Sequence, residues 1–333
     1  MLCVGLKILP FLPFMEKLIS AGPARTSVPD CFILPPELRP SPRASSGSAS
    51  LPVIDLGRGR DEVRRAIVDA CRDIGFFQVV NHGVSEPAMR DMEAVCEEFF
   101  KLPAADKMAY YSEDTCMPNR VFSGDMYGDK GYWRDCLRLA CSIPVGDTSK
   151  DWPDKPRRLR EVAENFAVQT RGVGMELLRL LCEGLELRPD YFEGDITGGG
   201  LAIKVNHYPP SPDPSLTLGM RPHHDKNLIT LLLAGSVPGL EVAYKGEWIS
   251  VEPVAPDALS VNFGLLLEVV TNGRLKSVEH RVVNNSALAR TSVAVFILPV
   301  AGSLIGPAEE FLGGDDNDDP PSYRPAIYNQ FTR

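Results

Sequence analysis

Apolar positions change their period along this chain, and the change divides it into two parts. Val63, Ala66, Ile67, Ala70 and Ile74 recur three and four residues apart, so they line one face of a predicted helix that Gly75 ends. LPVIDL (51–56) and FFQVV (76–80) predict short strands, the second closed by the turn Asn81-His82-Gly83. Ser85 stands where it would cap a second helix, with Pro87 in the first turn and Met89, Met92, Cys96 and Phe99 on the inner face. From Arg157 to Glu183, the spacing of Leu159, Val162, Phe166, Val173, Leu177 and Leu181 predicts a long helix, weakened by Gly172 and Gly174.

Beyond Gly198 the texture becomes short alternating or apolar runs bounded by Gly, Pro, Asn or Asp. These are LAIKVNHY, ITLLLA, LEVAY, EWISV, ALSVNF, KSVEHRVV and TSVAVFILPV. Such a series predicts a sandwich, jelly roll or barrel. Helices followed by strands give a mixed α and β class, a helical shell around a β core. There is no internal repeat. The Pro- and Ser-rich run at 35–50 reads as a lead-in without structure of its own. The expected divisions are a mobile leader at 1–50, a mixed N-terminal region at 51–150, helical support at 151–198, a β domain at 199–300 and a short tail at 301–333.

Composition narrows the function classes. The chain has 333 residues, 44% hydrophobic and 24% charged, which is ordinary for a globular protein. A formal net charge of −9 argues against a nucleic-acid partner, whose phosphates reward clustered Lys and Arg. The apolar run Met1–Phe14 carries a lysine and two prolines and is followed by Met15, so it reads as an extension ahead of an alternative start rather than a signal peptide. No run of eighteen apolar residues predicts a membrane span. Eight cysteines without a CxxC pair read as reduced thiols of a cytoplasmic protein. A small-molecule substrate is expected, with no obligate protein partner evident.

The chemistry concentrates among five histidines, four of them in the β-rich part. In RPHHDKNLITLLL, His223 and Asp225 are two apart at a strand mouth, so they share a face while His224 points away. Two imidazoles and one carboxylate form a facial triad that leaves Fe(II) positions open. A lone His-x-Asp is weak, and by itself it reads better as a strand end with a hydrogen-bonded histidine. Three further features change its weight. His280 lies in a second strand run. Arg290 and Ser292, again two apart, offer a planar fork and a hydroxyl matched to a carboxylate. Asn206-His207-Tyr208 precedes Pro209-Pro210, with Tyr208 placed to assist the same anion.

NHYPP (206–210), His223-x-Asp225, NGRLKSVEHRVV (272–283) and ARTS (289–292) together resemble the plant 2-oxoglutarate/Fe(II)-dependent dioxygenases. LPVIDL, GFFQVVNHG and FFKLPAADK are similar to that family's N-terminal region, so the likeness runs from about Leu51 to Tyr323. The resemblance implies a double-stranded β-helix (jelly roll) core with helices packed outside it. It implies that His223, Asp225 and His280 hold the catalytic iron, and that Arg290 and Ser292 grip the far carboxylate of 2-oxoglutarate, with Tyr208 and Asn206 assisting. The activity implied is hydroxylation of a small plant metabolite, consuming O₂ and 2-oxoglutarate and releasing succinate and CO₂, with ascorbate as support. Asn119, Phe122, Tyr127, Tyr132 and Trp133 fall on the segment that closes over such sites, where the alternative is packing between shell and barrel.

Three departures from the family pattern matter. Leu265-Leu266-Leu267 stand where polar residues are usual, which means either a greasier pocket wall or altered core packing. His224 occupies a slot commonly filled by Thr, Ser or Cys. After PPSYRP the chain ends at Arg333, where relatives continue with a helix over the substrate mouth. Two other classes stay open: a catalytically inactive metal- or 2-oxoglutarate-binding regulatory relative, and a zinc hydrolase on the same ligands. The hydrolase would need a general base beside the metal and leaves Arg290 and Ser292 without a purpose.

Overall fold

A computed structural model describes residues 17–22, 25–40, 50–124, 130–143, 148–194, 196–197, 200–312 and 321–331. Met1–Phe14, Cys3 and Tyr127 lie outside the described residues. In chain order the first half supplies β1 (Val53–Asp55), α1 (Arg60–Asp73), β2 (Phe76–Val80), α2 (Glu86–Lys101), α3 (Ala104–Met108), β3 (Arg120–Ser123), β4 (Asp135–Ser142) and α4 (Leu159–Gly184). The second half supplies β5 (Gly200–Tyr208), β6 (Met220–His223), β7 (Ile229–Leu233), β8 (Leu240–Tyr244), β9 (Glu247–Val251), β10 (Leu259–Phe263), α5 (Leu265–Val270), β11 (His280–Val282) and β12 (Arg290–Ile297). The hairpin β13 (Leu304–Ile305) and β14 (Ala326–Ile327) and the turn of helix α6 (Tyr328–Phe331) follow.

Eight strands form the main sheet, in the order β1-β2-β10-β7-β12-β5-β4-β3, antiparallel except for the β1/β2 pair. The smaller sheet runs β6-β11-β8-β9. Side chains alternate faces along a strand, and the main sheet uses this sharply. Leu137, Leu139, Ile203, Val205, Leu231, Leu233, Val293 and Val295 are buried on one face, where α2 and α4 pack. The helices α1, α2 and α4 pack together as the shell. Gly174 explains why α4 tolerates a poor helix former. A Cβ there would collide with Ile297 and Leu231, so glycine lets the helix backbone settle onto β12 and β7.

Several expectations change. Ser85 holds the N-cap position of α2 but makes no side-chain cap bond; its backbone N–H donates instead to Gln169 Oε1 of α4, at 2.8 Å. Part of the leader is packed rather than mobile. Leu18, Ile19, Phe32 and Leu34 are buried, the Ile19 and Ser20 N–H groups donate to Asp135, and Leu34 N–H donates to the Leu216 carbonyl. The apolar residues are sparse there, so no period announced them. Strands β3, β4 and β6 join the sheets without having been anticipated. Leu266 and Leu267 lie in the main core on α5, so their departure from the family pattern is core packing and not a pocket wall. No helix among the described residues is long and apolar enough to cross a membrane.

Candidate metal centre and anion grip

Strand pairing decides where the histidines meet. β6 and β11 are antiparallel neighbours with His223 directly opposite His280, and the two rings lie 4.2 Å apart between centroids. Asp225 follows two residues after His223, just past the end of β6. Its Oδ1 lies 3.7 Å from His223 Nε2 and 3.8 Å from His280 Nε2. The three donor atoms all lie within 4.8 Å of one another. His224 is exposed and takes no part.

The surroundings leave the right atoms facing inward. His223 Nδ1 donates to the Arg221 carbonyl at 2.9 Å, and His280 Nδ1 donates to the Val278 carbonyl at 3.2 Å. A carbonyl can only accept, so each Nδ1 carries the proton and each Nε2 presents a lone pair. Asp225 is divided in the same way. Its Oδ2 accepts from Thr230 Oγ1 at 2.6 Å and from Asn262 Nδ2 at 2.9 Å, which leaves Oδ1 toward the imidazoles. Its carbonyl accepts the Leu265 N–H at the start of α5, at 2.8 Å. Gly264 permits that approach, because a Cβ there would strike the Asn227 backbone. Phe76 packs edge-on against His280, with ring centroids 5.2 Å apart.

Electrostatics favour the metal-ready forms. Burial, together with the neighbouring His280, pushes His223 well below the ordinary histidine range, so it is neutral. Burial opposes ionisation of Asp225, but the His280 and His223 imidazoles and the bonds from Asn262 and Thr230 hold its carboxyl below the usual range. Two imidazoles that turn Nε2 inward, beside an ionised carboxylate, fit a divalent first-row metal of the facial-triad type. Behind His280, Arg281 donates to Glu241 at 2.7 Å and lies 4.2 Å over the Trp248 ring, tying β11 to β8 and β9.

Arg290 lies on the inner face of β12, opposite Tyr208 on β5, and Ser292 lies opposite Asn206. The Arg290 guanidinium is buried, stands 5.2 Å from the Tyr208 ring, and donates to Ser292 Oγ (3.1 Å) and the Val237 carbonyl (3.0 Å). No carboxylate among the described residues pairs with it, and burial draws its pKa down. A buried cation with only neutral partners is suited to receive an anion. Asn206, beside Ser292, accepts through Oδ1 from Arg134 Nη1 at 3.0 Å.

Residue patterns missed Arg134, Thr230 and Asn262. Arg134, Cys136 and Arg138 alternate with apolar or shell-facing residues, and that period-two signal was available. Of the segment expected to close over the site, Phe122 faces inward between Arg120 and Arg134, with guanidinium carbons 3.9 and 5.8 Å from its ring centroid. Asn119 instead accepts the Ala140 N–H. Trp133 packs on Ile19 and Phe32, and Tyr132 on Leu34 and Leu218, so both serve packing against the N-terminal segment. A cavity of about 900 Å³, lined by His207, Phe100, Thr291 and Pro209 among others, lies on the shell side of the main sheet and touches none of the three converging residues.

Two family models match: the 2OG-Fe(II) oxygenase superfamily over residues 200–299, and the N-terminal region described as non-haem dioxygenase in morphine synthesis over residues 51–160. The chain is 57% identical over 321 residues to 2'-deoxymugineic-acid 2'-dioxygenase of Hordeum vulgare, covering 96% of this chain and 93% of that protein. It is 53% identical to mugineic-acid 3-dioxygenase of the same plant, at the same coverage of 96% and 93%. Among solved structures, JOX2 in complex with 2OG, Fe and JA superposes with a TM-score of 0.84 at 34% identity, covering 96% of this chain and 92% of that one.

Proposed function

The chain belongs to the 2OG-Fe(II) oxygenase superfamily, a 2-oxoglutarate-dependent dioxygenase of small plant metabolites, and from that premise we propose a mugineic-acid-type amino acid as its substrate. 2'-Deoxymugineic acid is the first to test, because the relative named for it shares 57% identity over nearly the whole chain. The reaction proposed is hydroxylation of one substrate C–H, with O₂ and 2-oxoglutarate consumed and succinate and CO₂ released.

In this reading His223, Asp225 and His280 bind Fe(II) through the two Nε2 atoms and Asp225 Oδ1. When bound, the iron supplies the oxygen activation that no side chain can. The chain's own residues do the rest. Thr230 and Asn262 fix the carboxylate, the Arg221 and Val278 carbonyls fix the imidazole tautomers, and Arg290 with Ser292 holds the far carboxylate of 2-oxoglutarate, flanked by Tyr208. Asn206 acts by holding Arg134. The observation that carries the reading is the convergence of the three donor atoms within 4.8 Å, with Asp225 held by Thr230 and Asn262 from the same face of the main sheet that carries the buried Arg290.

Ascorbate is proposed as a supporting reductant. The cytoplasm is proposed as the compartment, supported by seven described cysteines that are all free thiols. The test is direct. Purified protein with Fe(II), 2-oxoglutarate, ascorbate and 2'-deoxymugineic acid should release succinate and yield a product one oxygen atom heavier. Absence of succinate release under these conditions, with iron present at one per chain, would sink the proposal.

A further inference from the structure

The inner face of the main sheet carries a second charged feature that neither the proposed iron ligands nor the Arg290 grip uses. Arg120 on β3 stands opposite Arg138 on β4, and Arg138 stands opposite Lys204 on β5. Three cationic residues therefore sit side by side across three adjacent strands, about 4.8 Å apart at the backbone. Like charges directly opposite one another destabilise a sheet. A chain of net charge −9 has no shortage of acids, and yet among the described residues none is paired with Arg138 or Lys204. Among the described residues Arg138 donates to the neutral Met117 and Pro118 carbonyls, and Lys204 meets the Phe296 ring at 5.1 Å; neither has a carboxylate partner. Both are only half-buried, within reach of a ligand.

Parity places this row on the metal side. Arg138 is four residues from Arg134, and Lys204 is two from Asn206; Arg134 and Asn206 are hydrogen-bonded to each other on the inner face. Phe296, beneath Lys204, is the cross-strand partner of Thr230, whose hydroxyl holds Asp225. From β7 to β5 is two strand spacings, roughly 10 Å, a distance one small molecule can bridge. Along the other axis, Lys204 pairs with Ala294, four residues from Arg290 on β12, or about 13 Å. One five-carbon diacid held at Arg290 does not reach the row, so the two cationic sites serve different ligands.

We propose that Arg138 and Lys204, flanked by Arg120, form a carboxylate-binding subsite that selects an anionic substrate and sets which C–H faces the metal. The inference rests on the dioxygenase reading and names the substrate class of that site: a small amino acid bearing more than one carboxylate. It also gives Phe122 and Phe296 a role as apolar platforms between the cations.

The test uses the full chain with Fe(II) and 2-oxoglutarate, and 2'-deoxymugineic acid, the substrate proposed above, as probe. Lys204→Met and Arg138→Met should each raise its KM, and its Kd measured anaerobically by calorimetry, by 10- to 100-fold. The KM for 2-oxoglutarate, the iron content and the slow succinate release without substrate should stay within 2-fold, and Lys204→Arg should recover most of the loss. In unaltered protein, methyl esterification of the probe's carboxylates should weaken binding at least 10-fold, a measurement that needs no variant to fold. Unchanged KM and Kd in both variants, or equal binding of acid and ester, would overturn the subsite while leaving the enzyme a dioxygenase. No iron and no succinate from unaltered protein would instead overturn the underlying reading.

Discussion

The two faces of the main sheet are made from the same strands, and they have opposite characters. On the shell face, Leu137, Leu139, Ile203, Val205, Val293 and Val295 are buried against α2 and α4. On the inner face, an odd number of residues away in each case, stand Arg134, Arg138, Lys204, Asn206, Arg290 and Ser292. Arg134, Asn206, Arg290 and Ser292 are as buried as many of the apolar residues, with exposures of 2–5%. Buried polar groups are costly unless partnered, so this face holds together only through its hydrogen bonds and through ligands of the right charge. The lesson is a division of labour at a period of two: the shell face supplies folding free energy, and the inner face spends part of it on chemistry.

The largest test sets one face against the other. Asp225→Ala removes the carboxylate shared by both imidazoles and should abolish iron binding and cut turnover by about 10³-fold or more, with the melting temperature little changed. Leu137→Ala, on the shell face, should do the reverse. It is expected to cost about 3 kcal/mol of stability in a denaturant titration while leaving the KM for 2-oxoglutarate as it was. If Leu137→Ala instead lost iron while keeping its stability, the division would be wrong.

A finer test reaches the inner face indirectly. Asn262→Ala removes one of two donors to Asp225 Oδ2 and should weaken Fe(II) affinity by roughly 10- to 100-fold. The KM for 2-oxoglutarate should follow the metal and not change further at saturating iron, as measured by metal titration followed by succinate assay.

The smallest effect comes from the exception on the shell face. His207 sits there beside Val205, stacked on Phe100 with ring centroids 4.6 Å apart and bonded to Thr291. Burial, with Lys107 and Lys101 nearby, lowers its pKa to about 4. The unfolded chain therefore binds a proton there near pH 6.5 that the folded chain refuses until about pH 4, and stability falls as pH drops through that window. The contribution is on the order of 2 kcal/mol between pH 7 and 4. Chemical denaturation of His207→Gln should show a shallower loss over that range, and an identical slope would remove His207 from the account.

Much of this molecule is legible in its amino-acid sequence. The period of Val63 to Ile74 gave α1 nearly to the residue, and the seven runs after Gly198 gave strands in the stated places. The donor residues His223, Asp225, His280, Arg290 and Ser292 were read from residue type and parity. What escaped notice shares one property. β3 and β4 carry Arg120 and Arg138 among their inner residues, which interrupts the apolar pattern of two short strands. The packed leader at 17–40 contributes single anchors such as Leu34 and Phe32, which no periodic test detects. Tyr132 and Trp133 look like a ligand wall in sequence, but they are used by those anchors.

Local periodicity is a property of the backbone, so the sequence by itself determined which donors exist, and that His223 with Asp225, and Arg290 with Ser292, would point together. Register is set by pairing between segments far apart in the chain, and no window of sequence contains it. Only the tertiary structure decided that His280 stands opposite His223, that Thr230 and Asn262 close on one oxygen of Asp225, and that Arg120, Arg138 and Lys204 fall into a row.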